Sequence, residues 1–206
     1  MSMGTVIGCK VMRFVGIIMN DVAAVILVGG KSSRMGQDKA TLPYQGKRLV
    51  DVVAEVLRQA GIARVYVSGE LEGYDSLPDL LAERGPVGGI CTSAARLCQR
   101  YMRAMFIPVD MPYVSEELLQ ALILQPTASY FEGHPLPCIV SLDKKTMRQI
   151  EAIAQALARN QKLSVKSFLA GLGANAIPVP AHLEKALTNT NTPEEWEEIT
   201  HESAHQ

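Results

Sequence analysis

From Asp21 onward the chain alternates short, wholly apolar or β-branched runs with longer stretches in which apolar residues recur every three or four positions. Alternation of those two periods is the mark of β-α-β units around a mainly parallel sheet. "VAAVILV" (22–28) contains no polar position and predicts a first strand buried on both faces. "RLVDVVAEVLRQAG" (48–61) repeats apolar residues at Val52, Val53, Val56 and Leu57 and stops at Gly61, which predicts a helix with a glycine C-cap. "ARVYVSG" (63–69) is then a second strand, "GICTSAARLCQRYM" (89–102) a helix, and "RAMFIPVD" (103–110) a further strand ending in an acid. Between the second strand and that helix lies "GELEGYDSLPDLLAERGPVGG" (69–89), which is too long for an idle connection.

In the second half, "SEELLQALILQ" (115–125) reads as a helix capped by Ser115, with two glutamates in its first turn. "TASYFEGHPLPCIVSL" (127–142) predicts two strands joined by a turn at Glu132 and Gly133, with Pro135 and Pro137 confining the second strand to an edge or a late start. "DKKTMRQIEAIAQALARN" (143–160) and "SVKSFLAGLG" (164–173) predict two more helices, and "NAIPVP" (175–180) a last strand. In "NTPEEWEEI" (191–199), Thr192 as N-cap, Pro193 at the first helical position and Glu195 three residues on form a capping box.

Composition narrows the class. The 206 residues are 48% hydrophobic, enough for one well-buried domain. Lys and Arg number 20 against 21 Asp and Glu, so no global field recruits nucleic acid or an anionic membrane. Any anion must be caught locally. Cys9, Cys91, Cys98 and Cys138 form no C-x-x-C pair, which favours reduced, mostly buried thiols and a cytoplasmic location. The opening "MSMGTVIGCKVMRFVGIIMN" is neither a convincing signal peptide nor long enough to span a membrane. Residues 1–19 are expected to be an N-terminal extension, with the functional start at Met19 or a nearby position, 20–200 a single domain, and 201–206 a tail.

The candidate chemistry starts at "LVGGKSSRMGQDK" (27–39), a glycine-rich basic loop directly after the first strand. Glycines let backbone N–H groups approach an oxygen cluster, and Arg34 and Lys39 add cations suited to linked phosphates. The loop fits neither G-x-x-x-x-G-K-[ST] nor G-x-G-x-x-G, which disfavours a P-loop ATPase or a Rossmann dehydrogenase. On composition alone it is also compatible with a solvated basic turn, in which Lys31 is merely a solvated neighbour. Asp110 stands where a strand's carboxyl end delivers it into the ligand crevice of an open α/β sheet, although it could equally cap a turn. "RGPVGG" could admit a nucleotide at a helix start or serve close backbone packing. His134 is either a binding residue or an ordinary turn histidine. Trp196 reads as core packing.

The loop resembles the L-x-G-G-x-S-x-R-M-G-x-D-K signature of the molybdenum cofactor guanylyltransferase family. "RGPVGGI" (84–90), "PVDMPYV" (108–114), "HPLPCIV" (134–140) and "NTNTPEEW" (189–196) follow in that family's order. The resemblance implies that 20–200 is a single nucleotidyltransferase domain with a three-layer α/β/α fold, Rossmann-like with a mainly parallel sheet. It implies transfer of GMP from GTP to the terminal phosphate of molybdopterin, with Mg²⁺ and release of pyrophosphate. By the same resemblance, Leu27, Gly29 and Gly30 lie against guanine and the phosphates, Arg34 and Lys39 bind phosphate, and Asp110 binds magnesium. Asp79 falls at a nucleotide-binding acid, Ser68 stands where the family has an asparagine, and Asn189 and Asn191 face molybdopterin. Sister enzymes that transfer CMP carry alanine where this chain has Gly30, so glycine there leaves room for a purine. Transient contacts with molybdenum cofactor biosynthesis proteins and recipient enzymes are implied, with no nucleic-acid or membrane partner. Three rival readings remain at this level: CTP as donor, a different phosphate acceptor such as a sugar phosphate or phospholactate, and an inactive GTP-binding escort of the cofactor.

Overall fold

A computed structural model describes residues 21–28, 39–81, 84–190, 192, 194–197 and 199. Gly29, Gly30, Arg34, Asn191, Cys9, the 1–19 extension and the 201–206 tail lie outside the described residues. The chain runs β1 (Val22–Leu27), a 3₁₀ turn (Lys39–Thr41), β2 (Pro43–Tyr44), β3 (Lys47–Arg48), α1 (Leu49–Gln59), β4 (Arg64–Ser68), β5 (Asp75–Leu77) and α2 (Pro86–Leu97). It continues with β6 (Arg103–Pro108), α3 (Glu116–Ile123), β7 (Ser129–Phe131), β8 (His134–Ser141), α4 (Lys144–Ala158), α5 (Val165–Leu172), β9 (Asn175–Ile177) and a 3₁₀ segment (Ala181–Leu187).

Seven strands form one sheet in the order β5-β4-β1-β6-β8-β7-β9, while β2 and β3 make a separate hairpin. Only β8 runs against the rest, antiparallel to both β6 and β7. β1 sits near the centre, and all six of its side chains are buried. Successive residues of β1 enter opposite cores: Val22, Ala24 and Ile26 meet α1 and α3, whereas Ala23, Val25 and Leu27 meet α2, α4 and α5. That division makes the molecule three layers, as the family resemblance implies. Burying each Val, Leu or Ile side chain there contributes on the order of 1.5–3 kcal/mol.

The local signals act largely as expected. Gly61 adopts φ +96° after α1, with Gly61 N–H on the Arg58 carbonyl and Ile62 N–H on that of Leu57, both at 3.0 Å. This is a Schellman stop, with Ile62 and Leu57 both buried behind it. The buried stripe of α1 is Leu49, Val50, Val53, Ala54 and Leu57, leaving Val52 and Val56 only half-buried, so the inward face is rotated from the predicted one. Ser115 caps α3 by accepting from Leu118 N–H. The predicted capping box is present too, with Thr192 Oγ1 accepting from Glu195 N–H and Glu195 Oε2 accepting from Thr192 N–H, both at 3.2 Å.

Two readings need correction. β8 is an interior strand, and it already contains both prolines. They are tolerated because the β6 ladder begins only at Cys138 and the β7 ladder shifts register between Tyr130 and Phe131. The 69–89 passage also contains a strand, β5, of only three residues.

Candidate active site

The site follows from strand order. The chain leaves β1 to pair β4 on one side and later returns to pair β6 on the other, which opens a crevice at the carboxyl ends of these strands. Leu77, Ser68, Leu27 and Pro108 form one row across β5, β4, β1 and β6. Asp79 and Asp110 each lie two residues beyond that row, on strands three spacings, or about 14 Å, apart. The crevice is long enough for them to serve opposite ends of an extended ligand.

Asp110 is held most firmly. Val109 N–H donates to the Leu27 carbonyl at 3.3 Å, fixing the end of β6 against β1. Lys39 Nζ lies 3.0 Å from Asp110 Oδ2 and 2.8 Å from the Thr190 carbonyl oxygen, and Thr190 N–H donates to the Asp110 carbonyl at 2.9 Å. Three distant segments thus meet at one junction: the end of the glycine loop, the "PVDMP" acid and the "NTNTP" stretch. Lys39 and Asp110 side chains are each 17% exposed, so their charges meet in a partly desolvated setting.

Asp110 Oδ1 is buried and has no hydrogen-bond partner among the described residues. An anionic oxygen without a donor has the chemistry that a hard divalent cation satisfies. Among the described residues no cluster of three or more His, Cys, Asp or Glu could hold a metal by itself. A magnesium ion needs only one or two carboxylates when substrate phosphates and water complete its shell, so this donor set fits one.

The other predicted residues divide. Leu27 and Ser68 are buried in the floor of the crevice. Asp79 is at its edge, but its Oδ1 accepts from Leu81 N–H at 2.8 Å and from the Thr92 hydroxyl at 3.2 Å, which fastens the turn into α2. Asn189 is exposed beside the buried Thr190. In "RGPVGG" close packing is evident. A Cβ on Gly88 would come within 2.8 Å of the Leu81 carbonyl oxygen, and one on Gly89 within 2.4 Å of Ser68 Oγ. The glycines bring the N-terminal turn of α2 directly against the crevice floor, although Pro86 has no N–H and that of Gly88 donates to the Gly85 carbonyl at 3.1 Å.

His134 opens the antiparallel strand β8, which puts it at the same edge as the carboxyl ends of the parallel strands, with its Nε2 4.0 Å from Glu184 Oε2. Trp196 packs as expected, its ring centroid 5.9 Å from that of Tyr44. The buried thiols of Cys91 and Cys138 are both pushed up to about 12, chiefly by burial, and no described cysteine is in a disulfide. Thr190 is the residue that sequence reasoning missed. It acts through its backbone, and no side-chain type announces that.

Comparison with known proteins agrees with this geometry. Residues 24–172 match the MobA-like NTP transferase domain family. The chain is 34% identical over 181 residues to a molybdenum cofactor guanylyltransferase of Xanthomonas euvesicatoria pv. vesicatoria, covering 87% of this chain and 94% of that protein. Among solved structures, molybdopterin-guanine dinucleotide biosynthesis protein A from Archaeoglobus fulgidus has the same fold, with a TM-score of 0.65 at 20% identity over 90% of this chain and 100% of that one. The fold is also shared with 2-C-methyl-D-erythritol 4-phosphate cytidylyltransferase from Thermus thermophilus, with a TM-score of 0.57 at 17% identity over 89% and 99% of the two chains.

Proposed function

The chain belongs to the MobA-like NTP transferase family, and from that premise we infer that it transfers GMP from GTP to the phosphate of molybdopterin, releasing pyrophosphate. The observation that carries this reading is the junction of Lys39, Asp110 and Thr190, because it joins the phosphate-binding loop to the segment assigned to the acceptor. In this reading Gly29, Gly30 and the N-terminal turn of α2 offer backbone donors to the triphosphate. Leu27 provides an apolar floor, and Ser68 and Asp79 line the nucleotide end. Arg34 and Lys39 neutralise the phosphates. Asn189 and Asn191 orient molybdopterin on the far side of Thr190.

The chemistry asks mainly for positioning. The attacking group is already a phosphate oxygen, and a phosphate monoester with a second pKa of about 6 is largely dianionic at pH 7, so no general base is needed. Two polyanions must be brought together, and catalysis lies in offsetting their repulsion and aligning the α-phosphorus with its attacker. Asp110 Oδ1 would hold Mg²⁺, which when bound supplies positive charge to the phosphate oxygens. Lys39 donates to Asp110 and to the Thr190 carbonyl, so it holds the junction closed, and in this reading its charge also stabilises the leaving pyrophosphate. Handing the product to recipient enzymes in the cytoplasm completes the reading.

The test is release of pyrophosphate from GTP dependent on both Mg²⁺ and molybdopterin, measured beside CTP and beside sugar-phosphate acceptors. GTP and molybdopterin together should give turnover, and Asp110→Asn should abolish it. Preference for CTP would reverse the choice of base, turnover on a sugar phosphate would replace the acceptor, and GTP binding without pyrophosphate would make the protein an escort.

A further inference from the structure

At the opposite end of β4 from the catalytic crevice, the shortness of β5 leaves a groove. β5 pairs only with Tyr66–Ser68, so Arg64 and Val65 extend beyond the ladder at the edge of the sheet. Two cavities lie there, of about 520 and about 430 Å³, and both are lined by Arg64 and Asp75. They therefore form one groove wrapped round the sheet edge. Arg58, from the last turn of α1, lines one lobe, and Arg100, which follows α2, lines the other. Arg64 stands between them.

None of these three arginines makes an ion pair or side-chain hydrogen bond among the described residues. Asp75 is the one carboxylate lining the groove, so three guanidiniums and one carboxylate leave a local charge of about +2. In the larger lobe the Tyr66 and Tyr101 hydroxyls are 3.0 Å apart. One donates to the other, and the accepting hydroxyl keeps its own hydrogen to offer a ligand. Arg64 and Arg100 both act on the Tyr101 hydroxyl electrostatically, which places their charge at that lobe.

We propose that the larger lobe of this groove is a second anion site that takes a diphosphate group between Arg64 and Arg100, with Arg58 adding positive charge from the neighbouring lobe. A pair of guanidiniums suits linked phosphates because each planar fork can bind phosphate oxygens bidentately. In the larger lobe, Arg64 and Arg100 would hold the two phosphoryl groups beside the tyrosine hydroxyl pair. The site is about 13 Å along β4 from Ser68, so it is separate from the triphosphate crevice. Its occupant would report on diphosphate concentration without entering the reaction.

The test is a backbone-amide NMR titration of the full chain with inorganic pyrophosphate and orthophosphate in the absence of Mg²⁺. Pyrophosphate should shift the amides of Arg64, Asp75 and Tyr101 saturably, with orthophosphate at least tenfold weaker. Arg64→Ala with Arg100→Ala should weaken these groove shifts at least tenfold while leaving shifts at Leu27 and Ser68, and the turnover, unchanged. Asp75→Asn should tighten binding severalfold. GDP as a second probe separates the sources: groove shifts with GDP assign a nucleoside-bound diphosphate, and groove shifts with pyrophosphate alone assign the free anion. Silent groove amides, shifts that survive the double substitution, or equal saturation by orthophosphate would overturn the proposal.

Discussion

Lys39→Met tests the junction because it keeps much of the side-chain volume while removing the ammonium that ties Asp110 to Thr190. Asp110 Oδ1 already lacks a partner among the described residues, so the substitution leaves both oxygens of a carboxylate only 17% exposed without a donor there, and the Thr190 carbonyl loses its 2.8 Å bond. Stranding a charged acceptor costs about 1–3 kcal/mol, and breaking a fully buried pair about 3–5 kcal/mol. Partial exposure puts this site near the lower range, at about 2 kcal/mol. For a domain of this size the midpoint should fall by about 4–8 °C.

The same change made on Asp110→Asn should cost less, because a neutral amide does not strand a charge. The double-mutant cycle should therefore show a coupling of about 1–2 kcal/mol between the two positions. Thermal and urea unfolding of the four proteins, followed by circular dichroism, measures it. Asp110→Asn alone should keep near-native stability while losing turnover, whereas Lys39→Met should lose both. A Lys39→Met midpoint within 1 °C of the parent, with coupling below about 0.5 kcal/mol, would refute the junction.

Gly88→Ala should destabilise the protein by about 1–3 kcal/mol in urea, since the new methyl meets the backbone oxygen of Leu81 at 2.8 Å and neither side can yield without moving the turn. An unchanged midpoint would show that the turn gives way freely. Asp143 caps α4, and its carboxyl is held below the ordinary range first by the Thr146 N–H, with the Thr146 hydroxyl and the Lys145 N–H adding to it. A depressed folded pKa means stability present above the unfolded value of about 3.9 and lost as pH falls through the folded one. Asp143→Ala should therefore cost about 1 kcal/mol at pH 7 and progressively less as the pH falls below about 3.9, and a loss that does not shrink on acidification would contradict the cap. Alkylation followed by mass spectrometry at pH 8 should label half-exposed Cys98 well before Cys91 and Cys138, whose thiols are buried and pushed up to about 12. Equal labelling in the native protein would count against that burial.

The legible parts of the sequence were those where one residue type has one physical use. Gly61 ends α1, Ser115 starts α3, and an unbroken apolar run makes β1 a strand buried on both faces. β5 and the β2–β3 hairpin were illegible because two or three residues cannot display a period. The interior position of β8 was misread because a proline forbids only the ladder bonds its own nitrogen would make, and tertiary pairing decides which those are. In the candidate site, Lys39 and Asp110 were readable as a cation in a glycine-rich loop and an acid after a strand, whereas Leu27 and Ser68 came only from the family resemblance. Thr190 was not, since a backbone amide and carbonyl look the same in every residue.

β1 also has a consequence for how the chain is made. Its neighbours are β4 and β6, so Val22 pairs with Arg103 and Ala23 with Arg64, and the most apolar strand of the molecule is synthesised well before either partner exists. At roughly 5–20 residues per second, this strand waits on the order of seconds for β4 and about twice as long for β6. Such non-local pairing makes closure of the sheet slow relative to formation of the helices. During synthesis β1 is therefore the segment most in need of shelter by a chaperone, and polar substitutions in β4 or β6 that delay pairing should lower soluble yield before they lower the stability of the finished fold.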